Sequence, residues 1–322
     1  MKKLKIYVFL NTEKDYLQLQ IDSYKEFMDD SNSEFIVVNG SQNYRDLIDG
    51  ICEKNGINTI QYHDKDNTTY RWYGGAQMNW FIQTIQPTLD DYIMFIHPDM
   101  FFVDTLDYRK LMDEKSLYFI PRYHEGFFYL WEGVILFNSE FINENGLTQS
   151  FDLSGLYTKN GIRTDGGGKT QLMLEQMNEK DYGFFEFWNV GEINGDDMDT
   201  HLNGHVRYSF NLNDDKIHLI APGTPKEGAL LTTKSFPYED DREDYAKYYI
   251  ETFKKIKDKF INGYDYPNPI HIDLINVHKD VDNQFILHFK SGTLYGEHQT
   301  ESYKDIKMAT LNKVIKDRFK KN

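Results

Sequence analysis

A chain of 322 residues, 40% hydrophobic and 16% aromatic, has the material for one large or two modest ordered domains, which excludes a disordered polymer. Its 36 Lys and Arg against 51 Asp and Glu leave a net charge of −15. That balance argues against nucleic acid and anionic lipid as partners and leaves any polyanionic ligand dependent on a local device such as a metal ion or a helix N-terminus.

The single cysteine, Cys52, rules out an internal disulfide, a Cys-based zinc site and a redox pair, and it fits a reducing, cytoplasmic setting. No apolar run approaches the ~20 residues of a membrane span. Leu4 to Leu10 reads as an opening strand rather than a signal peptide, because Asn11 to Asp15 follows without a small-residue cleavage pattern. Leu17, Ile21, Tyr24 and Met28 then recur at helical spacing. Glu34 to Val38 is a second strand, ending at Asn39-Gly40. Tyr44, Leu47, Ile48 and Ile51 mark a second amphipathic helix, which carries Cys52 towards the core. Ile57 to Tyr62 is a third strand, ending at His63-Asp64. Alternation of this length predicts right-handed crossovers and a parallel sheet.

An aromatic loop, Lys65 to Tyr73, leads through Gly74-Gly75 into a helix with Met78, Phe81, Ile82 and Ile85 on one face, stopped by Pro87. Tyr92 to Ile96 is an unbroken apolar run, as in a strand buried on both faces, and Pro98 ends its pairing so that His97 and Asp99 lie at its carboxyl end. In open α/β sheets that edge is where ligands bind, and Asn11, Asn39, His63 and His97 are predicted to line it. Leu117 to Pro121, Val134 to Asn138 and Tyr182 to Trp188 read as strands. Thr164 to Thr170 opens a helix through Leu172, Met173 and Met177. Gly191 to His205 reads as a polar loop, and Val206 to Phe210 as extended. A helix is expected over 244–260, then strands Ile270 to Val277 and Gln284 to Lys290, a Ser291-Gly292 turn, another strand and a basic final helix.

Two apparent motifs fail on their own spacing. Gly168-Lys169-Thr170 resembles the end of a phosphate-binding loop, but Arg163 stands where that loop needs its first glycine. His201 and His205 have the spacing of a zinc helix, but Leu202 occupies the place of the catalytic Glu. His97 and Asp99 admit two readings, a capped turn after a strand or a nitrogen and an oxygen ligand for a divalent cation. Asp165 precedes three glycines that let backbone approach a ligand closely, and it is either a helix cap or an acid–base group. Glu132 is the rival base, and neighbouring Trp131 is either a sugar-stacking face or an ordinary core residue.

The segment from Met78-Asn79-Trp80 through Asp91 to Asp99 resembles the part of GT-A glycosyltransferases, family 2-like, that runs from a helix through a buried strand into the Asp-x-Asp metal motif. The stretch Lys5 to Gly40 is similar to the nucleotide-binding start of those enzymes, and Trp131 to Asn138 to their acceptor-side strand. The likeness spans about the first two-thirds of the chain. His97 replaces the first aspartate, Asn39 stands where an aspartate often contacts uracil or ribose, and Met78 where arginine is common.

The resemblance implies a Rossmann-like α/β fold with a mostly parallel central sheet flanked by helices. It would comprise a catalytic domain over 1–265, with a nucleotide-sugar half over 1–103 and an acceptor half over 104–265, and a small C-terminal α+β extension over 266–322. It implies transfer of a sugar from a nucleotide-diphosphate sugar, by family habit a UDP-sugar, to a glycan or other hydroxyl acceptor with Mn²⁺ or Mg²⁺. Donor-binding candidates are Asn11, Thr12, Asn39, His63, Asp64, Gly75, Asn79, His97 and Arg207. Metal candidates are Asp99, His97 and a late histidine, His205 or His201. The catalytic candidates remain Asp165 and Glu132. A sugar nucleotidyltransferase and a non-enzymatic carbohydrate-binding protein are the alternatives.

Overall fold

The computed structural model describes residues 2–11, 14–28, 31–63, 73–124, 127–156, 164, 166–192, 197–202, 206–211, 216–222, 251, 255, 271–278, 280, 282–289 and 308–316. The chain divides into two compact units, Met1–Phe185 and Glu186–Asn322. The boundary expected at 265 lies outside the described residues.

In the first unit, strand and helix alternate as expected: β1 (Leu4–Leu10), α1 (Lys14–Phe27), β2 (Ser33–Asn39), α2 (Arg45–Asn55), β3 (Asn58–Gln61), α3 (Tyr73–Thr84) and β4 (Tyr92–Ile96). β1 pairs in parallel with both β2 and β4, and β2 with β3, so four strands point their carboxyl ends the same way. β1, central among them, is almost wholly buried, as an unbroken apolar run demands. Phe95 on β4 is fully buried and packs against Tyr7, Phe9, Phe81 and Phe137, with ring centroids 5.0–6.3 Å apart, so it joins the sheet to α3. Ring pairs of this kind add about 0.5–1.5 kcal/mol each beyond the area they bury.

After β4 come β5 (Met100–Phe102), α4 (Tyr108–Glu114), β6 (Leu117–His124), β7 (Phe127–Asn138), α5 (Ser139–Glu144), α6 (Gln171–Gln176) and β8 (Tyr182–Glu192). Here the sheet becomes mixed. β7 runs antiparallel to β4 and to β6, and the first residues of β8 return parallel to β6. β7 is also longer than the apolar run Val134 to Asn138 indicates, because its outer half pairs with β6 alone.

Two sequence expectations fail. Tyr44 and Leu47 do not face the core: they are 37% and 50% exposed, whereas Ile48 and Cys52 of α2 are buried as expected. The polar run 191–205 is not simply a loop. β8 extends to Glu192, and β9 (Asp197–Leu202) pairs antiparallel with β10 (Val206–Asn211), which pairs with β11 (Lys216–Pro222). In the same unit β12 (His271–Val277) and β13 (Gln284–Phe289) form an antiparallel pair. Residues 308–316 are helical. Of the helix expected over 244–260, only Glu251 and Lys255 are described, and both are helical. The Ser291-Gly292 turn and the strand after it lie outside the described residues. Among those residues no helix is long and apolar enough to cross a membrane.

Candidate active site

The site is built on the carboxyl ends of β1 to β4. After β4 the chain closes a tight turn, His97-Pro98-Asp99-Met100, in which the Met100 N–H donates to the His97 carbonyl at 3.1 Å. Proline suits the second position of such a turn because its fixed φ is already right. The turn leaves His97 partly exposed and draws Asp99 to 1% exposure. His97 N–H also donates to the Gly133 carbonyl at 3.0 Å, which joins the turn to β7.

β7 is irregular at that point. Its register to β6 jumps between Phe119↔Ile135 and Ile120↔Trp131, so Glu132, Gly133 and Val134 have no β6 partner. A bulge of this kind re-aims side chains. Trp131 turns its ring edgewise to His97, with centroids 5.4 Å apart, and the Arg122 guanidinium lies 5.1 Å from the Trp131 ring centre. A Cβ on Gly133 would meet the Trp131 ring at 2.4 Å, so the indole lies flat on that glycine. Trp131 is only 7% exposed. As described it is a packed residue rather than an open stacking face, and that correction follows from burial between Gly133, His97 and Arg122.

Glu132 is partly exposed, and its carboxylate lies against the glycine loop that precedes α6. A Cβ on Gly166 would come within 1.9 Å of Glu132 Oε1, and one on Gly167 within 1.9 Å of the Leu130 carbonyl oxygen. Gly167 has φ of +90°, which only glycine adopts cheaply. The loop is tied down at several points. Gly167 N–H donates to the Leu153 carbonyl at 2.8 Å, the Thr170 hydroxyl donates to the Gly167 carbonyl at 2.6 Å, and Leu130 N–H donates to the Thr170 hydroxyl at 3.1 Å. Asp165 itself lies outside the described residues, between Thr164 and Gly166.

Asn79 on α3 fastens the other side of this loop. Its amide donates to Asp152 Oδ1 at 2.8 Å and to the Ser154 hydroxyl at 2.9 Å, and its oxygen accepts from Leu153 N–H at 2.7 Å. Asn79 therefore holds main chain and side chain of residues 152–154. Gly75, one turn earlier, would place a Cβ 3.4 Å from the Leu153 carbonyl oxygen. Burial pushes the Asp152 carboxyl upward, but hydrogen bonds from Ser154 and the Lys169 ammonium, 3.0 Å away, outweigh it and hold it below the usual carboxylate value. Lys169 is thus engaged with Asp152, as befits a chain whose phosphate-loop likeness fails on spacing.

Asn11 accepts a hydrogen bond from the Gln77 amide, and a Cβ on Gly40 would collide with that amide, so Gly40 is what lets α3 reach the end of β1. Asn39 is fully buried. Its amide donates to the Arg45 carbonyl and to Asp49, and its oxygen accepts from Ser41 N–H. Asn39 therefore shapes the start of α2 from beneath rather than presenting itself at the rim. The rim at that point is formed by His63, as expected, together with residues at the start of α2 that the sequence reading did not place there. Gly40, Gln42, Asn43, Tyr44, Arg45, Asp46, Leu47 and His63 line a pocket of about 630 Å³. Arg45 Nη1 is 3.1 Å from His63 Nδ1, and Lys14 Nζ lies 4.9 Å from the Tyr44 ring centre.

Thr12, Asp64 and His205 lie outside the described residues. Arg207 on β10 stands opposite His201 on β9 in the second unit, and His201 belongs to a strand, which removes the zinc-helix reading. No three His, Cys, Asp or Glu side chains that could hold a metal converge among the described residues. His97 and Asp99 are the right chemistry for Mn²⁺, a borderline nitrogen and a hard oxygen, but they offer two donors, one of them deeply buried.

No protein-family model and no curated protein matches the sequence. Among solved structures, the chain is similar to the WbbM bifunctional glycosyltransferase, with 11% identity and a TM-score of 0.38 over 57% of this chain and 38% of that one. It is similar to the galactosyltransferase LgtC, solved with donor and acceptor sugar analogs, with 12% identity and a TM-score of 0.37 over 56% of this chain and 72% of that one. It is also similar to the mannosyltransferase PcManGT of Pyrobaculum calidifontis, solved with GDP-Man and Mn²⁺, with 8% identity and a TM-score of 0.33 over 52% of this chain and 55% of that one. The chain thus spans well under half of the first of these. Likeness at this level assigns neither a reaction nor a residue role to this chain.

Proposed function

We propose that this protein is a GT-A-like glycosyltransferase that moves a sugar from a nucleotide-diphosphate sugar, a UDP-sugar in our reading, to a hydroxyl acceptor. The observation that carries the reading is the meeting, at the carboxyl ends of the parallel strands, of the His97–Asp99 turn with a strand bulge that turns Glu132 against the Gly166-Gly167 loop. The pocket beside Tyr44, Arg45 and His63, at the ends of β2 and β3, suits the nucleoside, with the exposed Tyr44 and Leu47 giving apolar contact.

In this reading the acceptor hydroxyl attacks the anomeric carbon as the bond to the diphosphate oxygen breaks, and a carboxylate takes the acceptor proton. Glu132 and Asp165 are the groups for that step. Glu132 is favoured by its position against Gly166, and Asp165 adjoins the same glycine in sequence. His97 and Asp99 would hold Mn²⁺ or Mg²⁺, which when bound would supply positive charge to the leaving diphosphate. Arg207 remains a candidate diphosphate contact.

A thermal-shift screen of nucleotide sugars with and without Mn²⁺ tests the reading, since a ligand at a hundred times its Kd adds about 2.7 kcal/mol of stability. Stabilisation by one or more nucleotide sugars, followed by release of nucleoside diphosphate on turnover, is expected. Release of pyrophosphate would identify a nucleotidyltransferase, and sugar binding indifferent to nucleotide and metal would identify a carbohydrate-binding protein.

A further inference from the structure

Helix α1 carries two polar side chains into the core, and both end on the chain that follows β4. Gln20 is fully buried, and its Nε2 donates to two main-chain carbonyls, those of His97 and Met100, each at 2.9 Å. These are the first and last residues of the turn that contains Asp99. Ser23, three residues on, accepts from the N–H of Phe102 in β5 at 3.2 Å.

The Gln20 amide oxygen is buried and has no hydrogen-bond partner among the described residues. An orphaned buried acceptor is unfavourable, and an aliphatic side chain of the same length would fill the space without it. Packing therefore does not account for an amide here. What the amide alone provides is a pair of donors spaced to bracket a turn. The turn is also held by Pro98, which fixes one torsion, by the bond from Met100 to His97, and by the His97 N–H on the Gly133 carbonyl of β7. Gln20 adds the tie from the α1 side, to the first and last carbonyls of the turn at once.

We propose that Gln20 is the positioning residue of the His97–Asp99 turn, fixing from beneath the direction in which both side chains face the divalent cation of a metal-bound nucleotide ligand. This inference rests on the functional reading above. Gln20 touches neither ligand nor reacting atoms; it acts through the carbonyls of His97 and Met100, the two ends of the turn that carries Asp99.

The test compares Gln20→Met, which keeps the length and removes both donors, with Ser23→Ala, which removes the neighbouring tie from the same helix. Two quantities are read on each folded protein: hydrogen exchange at the Met100 amide, and the affinity for UDP in the presence of Mn²⁺. In Gln20→Met, exchange at Met100 should accelerate and UDP–Mn²⁺ should bind about 10- to 100-fold more weakly, the usual effect of removing an orienting partner behind a ligand. Ser23→Ala should bind UDP–Mn²⁺ within about twofold of the wild type, because its lost bond lies outside the turn. Should Gln20→Met not fold, Gln20→Asn, which retracts the same donors by one methylene, is measured in its place with the same expectation. Unchanged Met100 exchange in the Gln20 variant overturns the positioning role, and equal weakening by Ser23→Ala reduces it to general support of the core. A wild-type protein that binds no UDP–Mn²⁺ overturns the functional reading, while Met100 exchange still decides whether Gln20 holds the turn.

Discussion

Replacing Gly166 and Gly167 one at a time by alanine separates the chemistry of Glu132 from the architecture that carries it. At Gly167, the new Cβ would lie 1.9 Å from the Leu130 carbonyl oxygen on a backbone with φ of +90°, and β7 is held there by the Thr170 hydroxyl. Neither side can yield cheaply. Holding a non-glycine residue in that conformation costs about 1–3 kcal/mol, and at about 2–4 °C per kcal/mol for a unit of this size the melting temperature should fall by roughly 2–12 °C before the collision is counted. At Gly166 the obstacle is different. The nearest atoms belong to the end of the Glu132 side chain, which can swing aside, so stability should change by no more than about 0.5 kcal/mol. The carboxylate, however, is then displaced. If Glu132 takes the acceptor proton, Gly166→Ala should lower kcat by about 10²- to 10⁴-fold and leave the affinity for donor nucleotide unaltered. Thermal unfolding and steady-state transfer assays on the two variants, with Glu132→Gln as reference, decide the matter. A folded Gly166→Ala protein that transfers sugar at the wild-type rate would refute the assignment of Glu132.

Asp165→Asn keeps the size and capping ability of the residue but removes a base, so full transfer in that variant, with loss in Glu132→Gln, would assign the proton to Glu132 alone. Asp99→Ala should abolish metal-dependent nucleotide binding, whereas His97→Asp, a pair of hard oxygens, should keep activity and shift preference towards Mg²⁺; metal-titrated activity of the folded variants reads both, and a fully active Asp99→Ala would make the turn scaffolding only. Burial, with the charge of Asp49, pushes the Cys52 thiol up to about 12, so a soluble disulfide reagent should label it at pH 8 only after unfolding, and stoichiometric labelling of the native protein would contradict the packing of α2. Burial first, and nearby Glu114 and Glu179, also raise Tyr118 and Tyr182 to about 12. Because these folded-state values lie above those of the unfolded chain, their contribution to stability is present below about pH 8.5–10 and lost as pH rises towards about 12, which urea unfolding across that range should record as a falling midpoint.

The alternation of strand and helix through β4 was readable because each element carries its own period: Leu4 to Leu10 is apolar without a break, and Leu17, Ile21 and Tyr24 recur on one helix face. What local pattern cannot supply is the partner. Asp197–Leu202 looks like loop on composition, and it becomes a strand because β10 lies alongside it. Tyr44 and Leu47 match a helical apolar stripe, yet they border a pocket rather than the core, a distinction that depends on how α2 is rotated against β2 and β3. The site followed the same rule. His97 and Asp99 lie two residues apart in sequence and were visible as a pair, whereas the approach of Glu132 to Gly166 joins segments that only the folded sheet brings together. Gln20 had a faint signal, a polar residue among the buried positions of α1, which periodicity alone treats as a blemish.

The bulge in β7 also divides one strand into two zones with different freedoms. Ile135 to Phe137 is locked between β4 and β6, so a change of length there would slip the register and swap which side chains face the core. Phe127 to Trp131 is paired with β6 alone, beyond the reach of the β4 ladder. Side chains of Phe127 to Trp131 can therefore be exchanged without altering the pairing of β4 that leads to His97. A single strand thus joins a half fixed by two neighbours to a half that answers to one.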